Sequence, residues 1–223
     1  LLAMVSRLTD QKGIDLVADT IDHIFDTLPA QFVLMGTGDQ HYHDFFTQLR
    51  LKYPGRVSIF LTYDPALARR IYAGADMLLM PSRSEPSGTN QMIALRYGCV
   101  PIVRATGGLA DTVQDFDARQ DSGTGFAFKS YDRWAMFAAV ARAVAIYQLP
   151  TTWREIQRRA MSADFSWDAA AKKYDALYRD AIERHGRATQ AARALAREIQ
   201  HTAEKIAALP PRIARLGELA YNV

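Results

Sequence analysis

Two cations five residues apart, Arg7 and Lys12 in "SRLTDQKG" (6–13), and a lone carboxylate, Glu85 in "PSRSEPSG" (81–88), are the residues here whose types can do chemistry. Arg7 and Lys12 sit in a loop ahead of a helix-patterned segment, where two positive groups can converge on one anion. "EPSGTNQ" (85–91) opens a second helix, whose first N–H groups and dipole favour a phosphate. "RATGG" (104–108) adds backbone amides in a turn that glycine permits, which suits an anion nest. Together these loops make a composite pyrophosphate site. Glu85 would repel a phosphate, but it can accept hydrogen bonds from the hydroxyls of a sugar joined to that phosphate. The alternative role for Glu85 is that of a first-turn acid favouring the helix N-terminus.

Such loops need a scaffold that brings them to one place. Short apolar runs, "LLAMV" (1–5), "FVLM" (32–35), "VSIFL" (57–61), "MLLM" (77–80) and "VPIV" (100–103), are bounded by Gly, Pro or polar turns. Between them lie segments of helical period, such as Ile14, Val17, Ile21, Ile24 and Phe25. Continuous apolar strands separated by helices predict a parallel sheet covered on both faces, an α/β doubly wound, Rossmann-like domain. Ligands of such domains sit at the carboxyl ends of the strands, where all the loops above fall, together with "GTGD" (36–39) and "TYD" (62–64). "GTGD" alone is a weak signal, since glycine after a strand is commonly just a turn. No G-x-G-x-x-G follows the first strand, which argues against a dinucleotide-dependent dehydrogenase.

Composition narrows the alternatives further. Hydrophobic residues make up 49% of the 223 positions, enough for a sizeable core, and no apolar run approaches the roughly 20 residues needed to span a membrane. The net charge of +3 lies wholly in residues 187–223, with six Lys/Arg against three Asp/Glu, so the body of the chain is not a nucleic-acid binder by charge. Cys99, the one cysteine, lies in "GCVPIV" and reads as a buried structural thiol, which fits a reducing cytoplasm. His41 and His43 in "DQHYHD" lack further ligands at zinc spacing and read as the exposed start of a helix. The "DFD" of residues 115–117 resembles an acidic pair that binds a divalent ion in a different fold, but neither it nor the histidines is expected to hold a metal.

"SRLTDQKGIDLV", "GTGD", "GADMLLMPSRSEPSGTNQMIALRYG", "PIVRATGGLADTV", "GFAF" and "DFSWDAAAKKYDALY" occur in that order, and residues 1–186 resemble the C-terminal half of bacterial glycogen synthase and plant starch synthase. The resemblance implies a retaining glycosyltransferase of two facing Rossmann-like domains, with ADP-glucose or UDP-glucose in the cleft between them, an α-glucan as acceptor, and no metal or other cofactor. It further implies that Arg7 and Lys12 neutralise the leaving diphosphate, that Glu85 holds glucose hydroxyls, and that Tyr63 stacks on the base. Ser87, Gly88, Thr89, Asn90 and Gln91 would lie against sugar and phosphate, with backbone amides contributed by Gly88 and Thr89 to Gln91. Thr106, Gly107 and Gly108 would lie near the pyrophosphate. The alternative is a non-catalytic nucleotide-binding or interaction domain of the same fold.

The chain departs from the family pattern in several places. Ser87 stands where Cys is usual, and Thr89-Asn90 where Leu-Thr is usual, so an amide replaces the hydroxyl expected at the distal phosphate. Ile93 stands where many related sugar transferases carry a second Glu, which favours the synthase branch. The chain opens within the first strand, so the facing N-terminal domain is expected to be missing and the chain alone inactive. Beyond residue 186, a helical extension or linker is expected over 187–210, with Leu195, Ile199, Ile206 and Leu209 on one face and Thr202 in the gap. Residues 211–223 hold "RIARLGELAYNV", which resembles the start of bacterial α-glucan phosphorylases and suggests a fusion.

Overall fold

The structure, a computed structural model, describes residues 1–208. Residues Leu1–Ala163 form one compact unit and the chain from Asp164 onward a second. In the first unit, β1 (Leu2–Val5), β2 (Phe32–Met35), β3 (Val57–Phe60), β4 (Met77–Met80), β5 (Val100–Arg104) and β6 (Phe126–Phe128) form one parallel sheet in the order β3-β2-β1-β4-β5-β6. The crossovers run through α1 (Ile14–Thr27), α2 (Gln40–Lys52), α3 (Pro65–Gly74), α4 (Asn90–Tyr97) and the short α5 (Gly108–Thr112). α6 (Arg133–Tyr147) and α7 (Pro150–Ser162) follow the sheet. This is the Rossmann-like α/β fold expected from the pattern of apolar runs.

Alternation along each strand divides the core into two layers. Leu2, Met4, Phe32 and Leu34 pack with Ile14, Val17, Ile21 and Ile24 of α1 and Met136 and Val140 of α6 on one face. Ala3, Val33, Met35, Leu78 and Met80 pack with Ile71 and Tyr72 of α3 and Ala94 and Leu95 of α4 on the other. β2 and β4 are buried at all four positions because both faces are covered, whereas β3, at the sheet edge, alternates buried and exposed residues. The strand order reverses beside β1, whose Leu2 pairs with Phe32 on one side and Met77 on the other. A crevice opens above such a reversal, at the carboxyl ends of the strands.

Two features differ from the sequence expectations. The "GFAF" motif supplies a sixth strand, with Ile102 of β5 paired to Phe126 of β6. An Asp115 carboxylate oxygen anchors it by accepting the Ala127 N–H at 2.7 Å and pairing with Arg142 at 2.5 Å. Second, the boundary expected between residues 186 and 187 falls inside one helix, α8 (Trp167–Ala207), which contains no proline to stop it. The compact unit ends earlier, at Ala163. Leu195 and Ile199 lie on α8, while Leu209 and the phosphorylase-like stretch at 211–223 lie outside the described residues. No described helix is long and apolar enough to cross a membrane.

Candidate active site

Lys12 ends a 3-10 turn, Asp10–Lys12, between β1 and α1, and Glu85 lies in the loop between β4 and α4. The fold brings them into contact: Lys12 Nζ lies 2.5 Å from Glu85 Oε2, with the two side chains only 18% and 9% exposed. Ser82 Oγ donates to the same oxygen at 3.2 Å. Glu85 Oε1 has no hydrogen-bond partner among the described residues. A pair so nearly dry survives because each charge supplies the other's counter-charge, and removing either would leave the second stranded in a poor solvent.

The Glu85 loop is held by backbone contacts that only glycine allows. A Cβ on Gly108 would lie 1.8 Å from the Ser87 carbonyl oxygen, and one on Gly107, whose φ is +46°, would lie 2.2 Å from that of Glu85. The Gly108 N–H donates to the Glu85 carbonyl at 3.0 Å, and the Thr106 N–H donates to Arg104 at 2.9 Å. The Gly108 amide of "RATGG" therefore braces the neighbouring loop, while the Thr106 amide closes a turn within its own segment. Arg104 adds a second clamp, its guanidinium donating to the Ser82 carbonyl at 2.8 Å and to that of Arg83.

At the start of α4, fully buried Gln91 donates from its side-chain amide to the carbonyls of Ser87 and Gly88, each at 3.1 Å. Its Oε1 finds no partner among the described residues. Gln91 is thus the internal tie of the 87–91 turn. Thr89, at the N-cap, makes no side-chain capping bond, so it leaves the first amides of α4 to other acceptors. Asn90 turns its amide toward β1 and donates to the Val5 carbonyl at 2.7 Å. One of its two N–H bonds is thereby committed within the protein.

A cleft of about 360 Å³ lies at the carboxyl ends of β1, β2 and β3. Arg7, Asn90 and Tyr63 line it, with an apolar floor that includes Met35 and Tyr72. Arg69 also lines it, a second guanidinium not anticipated from the sequence, and among the described residues no carboxylate does. Among the described residues the Arg7 guanidinium bonds only to Gln11, at 3.1 Å. Tyr63 is 81% exposed at the mouth, its ring free to stack on a planar ligand. A flat aromatic group with an attached anion suits this lining.

The remaining candidates have internal duties. His43 Nε2 accepts the Gly38 N–H at 3.1 Å and so ties the "GTGD" loop to α2. Asp117 accepts the Arg119 N–H at 2.8 Å, while Asp115 holds β6 as above. Among the described residues no group of three or more His, Cys, Asp or Glu is arranged for a metal ion. Cys99 is fully buried, and burial raises its thiol to about 12.

Residues 1–160 match the family described as Glycosyl transferases group 1. The chain is 47% identical over 184 residues to glycogen synthase of Desulforudis audaxviator, covering 82% of this chain and 37% of that relative. It is 44% identical over 181 residues to glycogen synthase 1 of Synechocystis sp., covering 81% and 38% respectively. Among solved structures it is similar to the catalytic domain of starch synthase IV from Arabidopsis thaliana bound to ADP and acarbose. That likeness has a TM-score of 0.72 at 35% identity and covers 82% of this chain and 38% of that one. The chain thus spans well under half the length of the curated relatives it matches.

Proposed function

The chain belongs to the glycosyl transferases group 1 family, and on that premise we propose that it is the nucleotide-sugar-binding half of a glycogen or starch synthase. The reaction would move glucose from ADP-glucose to the non-reducing end of an α-1,4-glucan with retention of configuration. ADP-glucose is preferred over UDP-glucose because the similar starch synthase structure holds ADP. The observation that carries the proposal is the Lys12–Glu85 contact, made by loops at the same carboxyl edge of the sheet that carries the cleft of Arg7, Tyr63 and Asn90 and the uncapped start of α4.

In this reading the base stacks on Tyr63, and the diphosphate lies against Arg7, Lys12 and the first amides of α4. Glu85 accepts hydrogen bonds from glucose hydroxyls. When the bond from glucose C1 to the phosphate oxygen breaks, its electron pair leaves on the diphosphate. Fixed cations and amides stabilise that growing charge more than they stabilise the ground state. No step needs a metal ion. A second Rossmann-like domain would form the opposite wall and carry the acceptor, and the whole would work in the cytoplasm. A purely binding role for the same fold is the second reading, and the intact pairing of Lys12 with Glu85 favours the first.

Calorimetric titration of ADP and UDP into the 223-residue chain tests the donor site. ADP should bind more tightly than UDP, and Arg7→Ala should weaken ADP about tenfold, as expected for the loss of one charge-assisted contact. Failure of both nucleotides to bind would remove the proposal.

A further inference from the structure

Lys12 and Glu85 come from loops that are far apart in sequence, and their contact requires those loops to be held in register. Side chains outside the pair contribute to this. The Tyr131 hydroxyl donates to one oxygen of Asp15, in the first turn of α1, at 2.5 Å. The Arg83 guanidinium donates to the other Asp15 oxygen at 3.0 Å. The Tyr131 ring receives the guanidinium of Arg83 at 4.4 Å from its centre and that of Arg104 at 5.6 Å. The Arg83 backbone N–H donates to Gln11, inside the turn that carries Lys12, at 2.9 Å. Burial, then the hydrogen bond to Asp15, raises the Tyr131 phenol to about 12, so it remains a proton donor at neutral pH.

We propose that Tyr131 is a positioning residue for the Lys12–Glu85 pair: through Asp15 and Arg83 its hydroxyl locks the turn bearing Lys12 to the loop bearing Glu85, and turnover depends on that lock. Tyr131 does not line the cleft of Arg7, Tyr63 and Asn90, and its proposed effect on the donor runs through Lys12 and Glu85. Arg104 joins the same assembly, since it stacks on Tyr131 and also clamps the carbonyls of Ser82 and Arg83. Small misplacements of charged groups at a reacting centre cost far more in rate than in ground-state affinity. The proposal rests on the glucosyl-transfer reading, and its test separates the two.

In the intact synthase containing this chain, Tyr131→Phe keeps the ring between the guanidiniums and removes only the tether. The expected result is a fall in kcat of about tenfold with KM for the nucleotide sugar within about twofold. Asp15→Asn should give a similar fall, and the double variant should be no worse than the poorer single one, because both cut the same connection. Unchanged kcat in Tyr131→Phe, a rise in KM alone, or multiplicative losses in the double variant would overturn the proposal. If Asp15→Asn does not fold, Tyr131→Phe alone decides. Should the unsubstituted enzyme transfer no glucose, the functional reading fails and the lock is judged separately on the chain itself. Acetylation of Lys12 by a soluble succinimidyl acetate, followed by mass spectrometry, should then be several-fold faster in Tyr131→Phe, with exposed Lys52 as the reference; equal Lys12 rates would overturn the lock.

Discussion

Glu85 and Lys12 act as one unit, and this changes what removing either should do. In Glu85→Ala the ammonium of Lys12 loses its counter-charge and faces any incoming diphosphate unopposed. ADP affinity should therefore be unchanged or higher, while turnover in the intact enzyme falls about a hundredfold because the sugar has lost its carboxylate. Calorimetry and initial rates check the two halves, and a loss of ADP affinity equal to the loss of rate would assign Glu85 to phosphate binding through Lys12. The residue types that make this pair stand out in the sequence, although the spacing of Glu85 alone equally suits a first-turn acid at a helix start. Their direct contact does not, because it joins residues 73 apart. Tyr131 and Asp15 were harder still: 116 residues separate them, and neither carries a local pattern. The glycines of "RATGG" stand out in the sequence as permitting a turn, but their close approach to the Glu85 and Ser87 carbonyls is set by another loop and needs the fold.

Among the elements, α3 couples local capping to the cleft. Asp64 caps it by accepting the Ala66 and Leu67 N–H groups at 2.8 and 3.0 Å, and Pro65 occupies the first turn. The same helix contributes Arg69 and Tyr72 to the cleft, and Tyr63 immediately precedes the cap. Asp64→Ala should lower stability by about 1 kcal/mol in urea denaturation and weaken ADP a few-fold, because the Tyr63 wall loses its anchor. Reduced stability with unchanged ADP affinity would detach α3 from nucleotide binding. Five of the strands and the helices between them could be read ahead because apolar runs and helical spacing alternate cleanly, whereas α6 and α7, beyond the last run, were not singled out. β6 could not be read ahead: its three residues carry too little periodicity, and much of what fixes it, Asp115 and Arg142, lies outside the strand. The end of the first unit was also obscured, since α8 runs through the motif-bearing and the unmatched parts of the sequence without a breaker.

On the scale of the molecule, every proposed donor contact lies at the carboxyl ends of one sheet, and nothing in the compact unit supplies an opposite wall for an acceptor. The 223-residue chain should therefore bind ADP and transfer no glucose; radiolabelled glucose incorporated into glycogen above a Glu85→Ala control would contradict this. The strand order carries a consequence for how such a site comes into being. β1 lies inside the sheet, and its second neighbour is β4, so Leu2 must wait for Met77 before both of its edges are paired. Parallel pairings of this kind enclose long loops, and chains dominated by them fold slowly because loop-closure entropy precedes any gain from contact. The Lys12–Glu85 contact spans the same seam. A chain still folding can carry the β1–β2–β3 half with Arg7, Lys12 and Tyr63 in place, yet Lys12 has no carboxylate partner until β4 joins. The charge pair is in this sense a seal on the finished sheet, formed only when the two halves of the fold have met.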